Sequence, residues 1–251
     1  MLDDVLRLSF QHISSIMFHQ NVGVMEGYLR ETFNATDEEL TYLQEIFGHR
    51  DQKLKSLSTG RSPYGSPSVV IDDFLYHGDL GHASNIKLLN QLGIRHIIDV
   101  CDCQLEKEIL ENFHVLWINL YDELRADIKK HFEETNEFLR VCKEKNEKVL
   151  VHCQMGISRS SSVVLAYLMK YHHDSLLKAY DYLLERRRIA APNISFFLQL
   201  IRYEKELRKT KEIDESKHND DQQNPIEKLD ANQDPALLNN EIEDEKMENW
   251  N

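Results

Sequence analysis

The sequence predicts an α/β domain with a central, mostly parallel sheet of four to five strands, flanked by helices. Short β-rich runs alternate with helical stretches between residues 69 and 208, an order that is typical of layered α/β domains. The run that leads into Cys153 is almost entirely apolar, which indicates a central strand buried on both faces. A helical extension is predicted on the N-terminal side of this domain.

The elements of the domain follow from local patterns. Strands are predicted for the β-rich runs at 69–71, 95–100, 115–120 and 148–153. Helices are predicted at 83–92, 127–144, 158–172, 174–187 and 193–208. In the helix from 174, Asp174 is the predicted cap, because the apolar side chains that follow it fall on one helical face.

Residues 1–52 are predicted to be a helical N-terminal extension. Apolar residues from Leu2 to Met17 recur at helical spacing. Thr36 and Glu39 form a capping box at the start of a second helix, and Gly48 is its predicted end. We interpret the extension as packing on the main domain, with a partner-binding module as the alternative. Residues 53–68, rich in Ser, Gly and Pro, are predicted to be a linker.

The C-terminal residues 211–251 differ in composition from the rest of the chain. They contain 13 acidic and four basic residues, a net charge of -9, and no helical or strand periodicity. This composition is typical of disorder, so an acidic disordered tail is predicted after a domain at 69–210. The whole chain carries a net charge of -13, which argues against a nucleic-acid partner.

The four cysteines are expected to be free thiols, because a chain of this size needs no disulfide staples and shows no signal peptide. We therefore expect a cytoplasmic location, a nuclear one, or both. No apolar stretch approaches the ~20 residues of a membrane span, so no membrane association is expected. Cys101 and Cys103 could form half a metal site, but no second Cys/His pair accompanies them. No metal or other cofactor is expected.

The strongest chemical signal is the motif HCQMGISRS at residues 152–160. Cys153 ends the buried strand and precedes a helix, where free backbone N–H groups and the helix dipole favour its thiolate form. Gly156 supplies the backbone freedom for a curled loop. The planar guanidinium of Arg159 can hold two oxygens of one phosphate, and Ser160 places a hydroxyl within reach of the sulfur.

Cleavage of a phosphate ester by a thiolate also requires a proton donor for the leaving oxygen. The donor must come from another loop, and LYDELRAD offers Asp122 just after the strand predicted at 115–120. Asp127, five residues later, is interpreted as the cap of the next helix.

Together with Asp122, the segments HCQMGISRS, AYLM at 166–169 and ERRRIAAPNISF at 185–196 resemble the dual-specificity phosphatases of the Cys-based protein tyrosine phosphatase superfamily. The resemblance covers roughly residues 69–208. It implies hydrolysis of phosphotyrosine and phosphoserine/threonine through a phosphocysteine intermediate. Cys153 would attack phosphorus, Asp122 would protonate the leaving oxygen and then activate water, and Ser160 would ease departure of the thiolate.

The resemblance also assigns the rest of the site. Arg159 and the loop N–H groups would stabilise the phosphate oxygens, so the substrate-binding residues are Gln154, Met155, Gly156, Ile157, Ser158 and Arg159. His152 and Asn193 are assigned structural support. The chain departs from many relatives at His77-Gly78, where those relatives have Leu-Gly. We expect this change to alter packing and not chemistry.

The motifs of this chain resemble two different subfamilies of the dual-specificity phosphatases. The YDE triplet, AYDYLLERR and the Pro-Asn that follows resemble slingshot phosphatases, whereas the loop HCQMGISRS with AYLM is closer to MAP-kinase phosphatases. The implied substrate is a phosphoprotein, either a MAP kinase or a cofilin-type actin regulator. The oligomeric state stays open.

Two other functions compete with this interpretation. A phosphoinositide phosphatase would place lysines in the loop, but the variable positions Gln154, Met155, Ile157 and Ser158 carry no charge. A pseudophosphatase that binds phosphoproteins without turnover would usually lack the cysteine or the arginine, and this chain keeps both. The pseudophosphatase is retained as the alternative function.

Overall fold

The computed structural model describes residues 22–57 and 65–222, with side chains for 25–57 and 65–213. Within these ranges it confirms the predicted fold class. Five strands form one sheet in the order β1-β2-β5-β3-β4, and every neighbouring pair is parallel except β1 with β2. The strands are β1 (Ser68–Ile71), β2 (Leu75–Asp79), β3 (Ile94–Asp99), β4 (His114–Trp117) and β5 (Lys148–Cys153).

Helices cover both faces of the sheet. They are α1 (Val22–Phe33), α2 (Asp37–Ser56), α3 (Leu80–Ala83), α4 (Ile86–Leu92), α5 (Lys107–Asn112), α6 (Phe132–Glu144), α7 (Arg159–Tyr171), α8 (Leu176–Arg186) and α9 (Ile194–Gln222), with a 3₁₀ turn at Lys129–His131. Among the described residues, no helix combines the length and the apolar character needed to cross a bilayer.

The central strand β5 shows why the sheet has two cores. Side chains of a strand point to alternate faces. Val149 and Val151 therefore join the larger core, which contains residues of α1, α2 and α6 to α9. Leu150 joins a smaller core on the other face, with residues of α3, α4 and α5. Burial on both faces explains the unbroken apolar run in the sequence and fixes Cys153 at the end of a rigid strand.

The N-terminal helices α1 and α2 belong to the larger core. Leu43 and Ile46 of α2 are fully buried, and Phe47 meets Phe197 edge to face with 5.3 Å between the ring centroids. Arg202 of α9 donates from Nε to Glu39 Oε1 at 2.9 Å. Over residues 25–57 the extension packs on the domain, as interpreted from the sequence. The predicted helical stripe from Leu2 to Met17 lies outside the described residues.

The capping box of Thr36 and Glu39 is present, but several predicted boundaries are wrong. Helix α2 continues through Gly48 to Ser56 and so includes the start of the predicted linker, because tertiary burial outweighs the low helix propensity of one glycine. The side chain that caps α8 is that of Ser175, which accepts from Lys178 N–H, and not Asp174. The helix predicted at 83–92 is divided into α3 and α4.

Strand β2, which is one of the two neighbours of β5 in the sheet, was not predicted from the sequence. It pairs with β5 in parallel, with His77 opposite Val151 and Asp79 opposite Cys153. Its sequence, LYHGD, is short and contains a buried histidine and a glycine, so it lacks the apolar alternation that marks a strand.

Helix α9 includes the first twelve residues of the predicted disordered tail, 211–222, and ends at Gln222. The compact unit ends at Thr210, and residues 223–251 lie outside the described part of the chain.

Removing residues 211–251 is expected to leave folding and intrinsic catalysis nearly unchanged. The segment has little apolar surface to offset the entropy of ordering it. The thermal midpoint and the turnover of a small aryl phosphate should match those of the full chain. A large drop in either would show that the segment contributes to the domain.

Candidate active site

The motif at residues 152–160 forms a strand–loop–helix unit, as predicted. β5 ends at Cys153, the loop follows, and α7 begins at Arg159. The Cys153 side chain is buried, whereas Gln154 is exposed and Met155 and Ile157 are half-buried at the rim. All four cysteines of the chain are free thiols.

Hydrogen bonds hold the loop from the outside through its carbonyl groups. Gln154 O accepts from Leu80 N–H at 3.3 Å, and Ile157 O accepts from Ala191 N–H at 2.8 Å. Among the hydrogen bonds of the described residues, none is donated by the backbone N–H groups of 154–158. With their carbonyls bound outward, these N–H groups are available to an anion.

Gly156 is required at its position for two reasons. Its φ of +61° lies in the left-handed region that a residue with a Cβ disfavours. A Cβ would also lie 2.3 Å from Gly78 O and 2.3 Å from Arg187 Nη2. Arg187 Nε donates to Gly156 O at 2.7 Å, so the tight approach is itself part of the loop's support.

The Arg159 side chain is buried beside the loop. Its Nη1 donates to Asp102 Oδ1 at 3.1 Å and to Leu120 O at 2.9 Å. Its Nε lies 3.7 Å from Asp122 Oδ2 and has no hydrogen-bond partner among the described residues. Burial opposes the charge, but Cys153, Asp122 and Asp102 together raise the pKa of Arg159 above its ordinary value. A fixed positive charge therefore faces the thiol.

Asp122 is held by one residue of the loop and by the residue before α9. Its Oδ1 accepts from Ser158 Oγ at 2.8 Å and from Asn193 Nδ2 at 2.9 Å. The Ser158 hydroxyl in turn accepts from Asn193 N–H at 3.0 Å. Asn193 thus supports the site through Asp122, and Ser158 contributes its hydroxyl to that support.

Asp127 Oδ1 accepts from Lys130 N–H at 3.3 Å beside the 3₁₀ turn. The N-cap residues are Ile128 for that turn and His131 for α6, so the prediction that Asp127 caps the next helix is wrong.

Ser160 lies in the first turn of α7, fully buried, and its hydroxyl donates to Cys153 Sγ at 3.2 Å. The same hydroxyl lies 2.8 Å from His77 Nε2. The ring of His77 is therefore hydrogen-bonded to a residue that contacts the sulfur, so the histidine adds a polar contact beside its packing; the expectation that chemistry is unaffected stays a prediction.

His152 is buried, and its Nε2 lies 3.4 Å from Asp99 Oδ1. Burial lowers the pKa of His152 to about 4 and raises the pKa of Asp99 to about 6. Near neutral pH the imidazole is uncharged. Cys101 completes a buried cluster in which the three potential ligand atoms lie within 4.8 Å of one another. Sequence spacing gave no sign of this cluster, because its members come from two strands and a loop.

The fold is expected to lose stability as the pH falls below about 6.5. Burial lowers the pKa of His77 well below 6.5, and the nearby Arg187, His152 and His82 add to the effect. Below pH 6.5 the unfolded chain binds a proton at this histidine that the folded chain does not. The free energy of unfolding then decreases with falling pH by up to about 1.4 kcal/mol per pH unit for this group.

Chemical denaturation between pH 7.5 and 5 measures this slope. His77→Leu should show a shallower pH dependence than the unsubstituted chain. An identical slope in the two proteins would contradict the assignment of a neutral, buried His77.

Arg187 and Asp102 also contact the site and were not among the predicted residues. Arg187 lies in a run of three arginines, and the sequence does not reveal which one turns inward. Asp102 lies between the two cysteines that were considered as metal ligands. The Pro-Asn pair that follows the arginine run was the one sequence feature that indicated a contact from this segment to the site.

An anion-binding loop that curls around a buried thiol, with an arginine at its helical end and a carboxylic acid held alongside, defines a cysteine-based phosphatase. The family model described as "Dual specificity phosphatase, catalytic domain" matches residues 75–206. The chain belongs to this family.

Two human relatives are similar to this chain at nearly equal identity. Human dual specificity protein phosphatase 5 is 41% identical over 143 residues, which cover 57% of this chain and 37% of the relative. Human protein phosphatase Slingshot homolog 1 is 39% identical over 142 residues, which cover 55% of this chain and 13% of the relative. The chain thus spans little more than a third of the first relative's length, and the two identities do not separate the subfamilies.

The fold is also similar to that of a solved structure. The crystal structure of human DUSP28 is 27% identical, with a TM-score of 0.54, and the match covers 57% of this chain and 99% of that one. The matching part of this chain has about the length of a catalytic domain alone.

Proposed function

We propose that this chain is a protein phosphatase that hydrolyses phosphotyrosine and phosphoserine/threonine through a phosphocysteine intermediate. The observation that carries the proposal is the placing of Cys153 within hydrogen-bond distance of Ser160, in a loop whose backbone N–H groups are free and whose end is occupied by buried Arg159. The cytoplasm or the nucleus is the proposed location.

In the first step the Cys153 thiolate attacks phosphorus, and the bond from phosphorus to the leaving oxygen breaks. Asp122 gives its proton to that oxygen. The loop N–H groups and Arg159 stabilise the charge on the three remaining oxygens. In the second step water attacks phosphorus, Asp122 takes its proton, and the electron pair of the broken P–S bond returns to sulfur.

Support for Asp122 as the acid comes from the contacts that hold it. Ser158 and Asn193 both donate to Oδ1, at 2.8 and 2.9 Å, and so fix the carboxyl group at the edge of the loop. Oδ2 accepts neither of these bonds and faces Arg159 at 3.7 Å. This oxygen is the one we assign to proton transfer.

One observation favours the alternative of a phosphoprotein-binding pseudophosphatase. Arg159 Nη1 donates to both Asp102 and Leu120 O, so part of the guanidinium is already engaged within the protein. Turnover of p-nitrophenyl phosphate separates the two functions. Binding of a phosphopeptide with no turnover above the buffer rate would favour the pseudophosphatase.

Activity is expected on phosphotyrosine, phosphoserine and phosphothreonine peptides alike. The rim residues Gln154, Met155 and Ile157 carry no charge, which suits a protein side chain better than a polyphosphorylated headgroup. A panel of matched peptides that differ only in the phosphorylated residue, together with soluble phosphoinositides, measures the preference. Strict phosphotyrosine specificity, or a preference for phosphoinositides, would contradict this prediction.

For the physiological substrate we propose a phosphorylated MAP kinase or a phosphorylated cofilin-type actin regulator. Support comes from the motifs that resemble the two subfamilies and from the similarity to a dual specificity protein phosphatase at 41% identity and to a Slingshot phosphatase at 39% identity. Asp122→Ala should retain phosphoprotein binding but turn over slowly, so it can capture the substrate. Capture should be lost with excess inorganic phosphate, and an Asp127→Ala variant, which keeps the acid, is the matched control.

A further inference from the structure

His77 places an imidazole next to the hydroxyl that contacts the catalytic sulfur. Strand β2 pairs with β5 in parallel, and Asp79 of β2 lies opposite Cys153. His77 precedes Asp79 by two positions on the same strand. The ring is fully buried, and its Nε2 lies 2.8 Å from Ser160 Oγ, which lies 3.2 Å from Cys153 Sγ. The three side chains form a continuous chain of hydrogen bonds that ends on sulfur.

The count of protons fixes the direction of this chain. A serine hydroxyl has one proton to donate, and in this structure Ser160 donates it to Cys153 Sγ. His77 must then donate from Nε2 to the lone pair of Ser160 Oγ. The other ring nitrogen, Nδ1, is buried with no hydrogen-bond partner among the described residues. An unpaired nitrogen lone pair at Nδ1 costs less free energy than a buried N–H group without an acceptor. This difference favours the tautomer with the proton on Nε2.

Neighbouring serines of α7 show where such a hydroxyl turns when nothing holds it. Ser161 Oγ donates to Ile157 O at 2.5 Å, and Ser162 Oγ donates to Ser158 O at 3.0 Å. Both hydroxyls point back to the carbonyl four residues earlier, the common alternative for serine in a helix. In this orientation a hydroxyl is not available to the sulfur.

For Ser160 the corresponding carbonyl is that of Gly156. It accepts from Arg187 Nε at 2.7 Å. The Ser160 hydroxyl does not follow its two neighbours, because it donates to Cys153 Sγ and lies 2.8 Å from His77 Nε2. The imidazole of His77 thus holds the Ser160 hydroxyl away from the backbone and toward Cys153.

We propose that His77 is a positioning residue for Ser160, holding its hydroxyl proton on the Cys153 sulfur while the phosphocysteine is hydrolysed. The inference rests on the proposed phosphocysteine mechanism. When water attacks phosphorus, the P–S electron pair returns to sulfur as a thiolate, and the water proton passes to Asp122. Ser160 keeps its proton throughout and stabilises the thiolate by a hydrogen bond, which the donation from His77 strengthens. No group other than water is consumed.

The experiment compares His77→Leu and His77→Gln in the full chain, each with Ser160 present and with Ser160→Ala. Leu is the residue that many relatives carry here, and the terminal amide of Gln can still donate to Ser160. Pre-steady-state assays with p-nitrophenyl phosphate separate the burst, which reports phosphocysteine formation, from the steady rate, which reports its hydrolysis. His77→Phe, of similar volume to the imidazole, is measured alongside so that the result does not depend on how Leu packs.

With Ser160 present, His77→Leu and His77→Phe should lower kcat about three- to tenfold, the effect of losing one hydrogen bond between neutral groups, since His77 donates to the Ser160 hydroxyl and not to the sulfur. The ratio kcat/KM should stay nearly constant, because it reports the first step. His77→Gln should recover most of the loss. In the Ser160→Ala background, His77→Leu should have no further effect, since the hydroxyl that it positions is gone.

Three results would overturn the inference. An equal loss in both serine backgrounds, or a parallel fall in kcat/KM, would show that His77 acts through packing alone. An unchanged kcat in His77→Leu, with a normal burst, would overturn the role of His77 and leave the phosphocysteine mechanism intact. A wild-type enzyme that forms no phosphocysteine on rapid quench and mass analysis would overturn both.

Discussion

Replacing Cys153 with Ser is expected to abolish measurable turnover while leaving phosphate binding largely intact. A serine hydroxyl stays protonated where a thiol ionises, so the nucleophile is lost. The groups that bind phosphate are unaffected, because the loop N–H groups are backbone and Arg159 is held by Asp102 and Leu120 O. Turnover of an aryl phosphate and calorimetric binding of a phosphotyrosine peptide measure the two properties.

Two control variants sharpen this test. Cys103→Ser, at the exposed cysteine, should retain full activity. Arg159→Ala should lose phosphate binding as well as turnover, since it removes the one side chain assigned to hold two phosphate oxygens. Residual turnover in Cys153→Ser above that of a Cys153→Ser/Arg159→Ala double variant would mean that another residue supplies the nucleophile.

Asp122→Asn is expected to slow the reaction by about 10²- to 10⁴-fold on a serine phosphate, the usual share of general acid–base catalysis. Asn is a fair replacement because its carbonyl oxygen can still accept from Ser158 and Asn193, which hold Oδ1 in the unsubstituted site. The loss should shrink for an aryl phosphate whose leaving group departs unprotonated. The basic limb of the pH–rate profile should flatten in this variant.

Asp127→Asn is the matched control for Asp122→Asn. Its carboxylate accepts from Lys130 N–H at the 3₁₀ turn, so its loss should affect stability slightly and catalysis little. If Asp122→Asn costs nothing on the serine phosphate while Asp127→Asn is slow, the acid has been assigned to the wrong residue.

The fold class was accessible from the sequence because strands and helices alternate and the run Val149–Val151 within β5 is apolar on both faces. Strand β2 was not, although it borders β5. The imidazole of its buried His77 is hydrogen-bonded to Ser160, which is distant in sequence, so the polar character of the strand gave the wrong local signal. The end of α2 was misplaced for a related reason, because buried Arg50 and half-buried Leu54, which packs against the larger core, carry the helix past Gly48.

The residues of the site also differ in whether the sequence alone could predict their arrangement. Cys153, Gly156, Arg159 and Ser160 belong to one strand–loop–helix unit, and the sequence by itself determined their mutual placement, since a strand end, a left-handed glycine and a helix N-terminus leave a loop few conformations. Only the tertiary structure decided that His77 reaches Ser160 and that Arg187, and neither neighbouring arginine, braces the loop carbonyl. Such contacts join elements far apart in the chain, and side-chain direction there is set by packing against the sheet rather than by any local pattern.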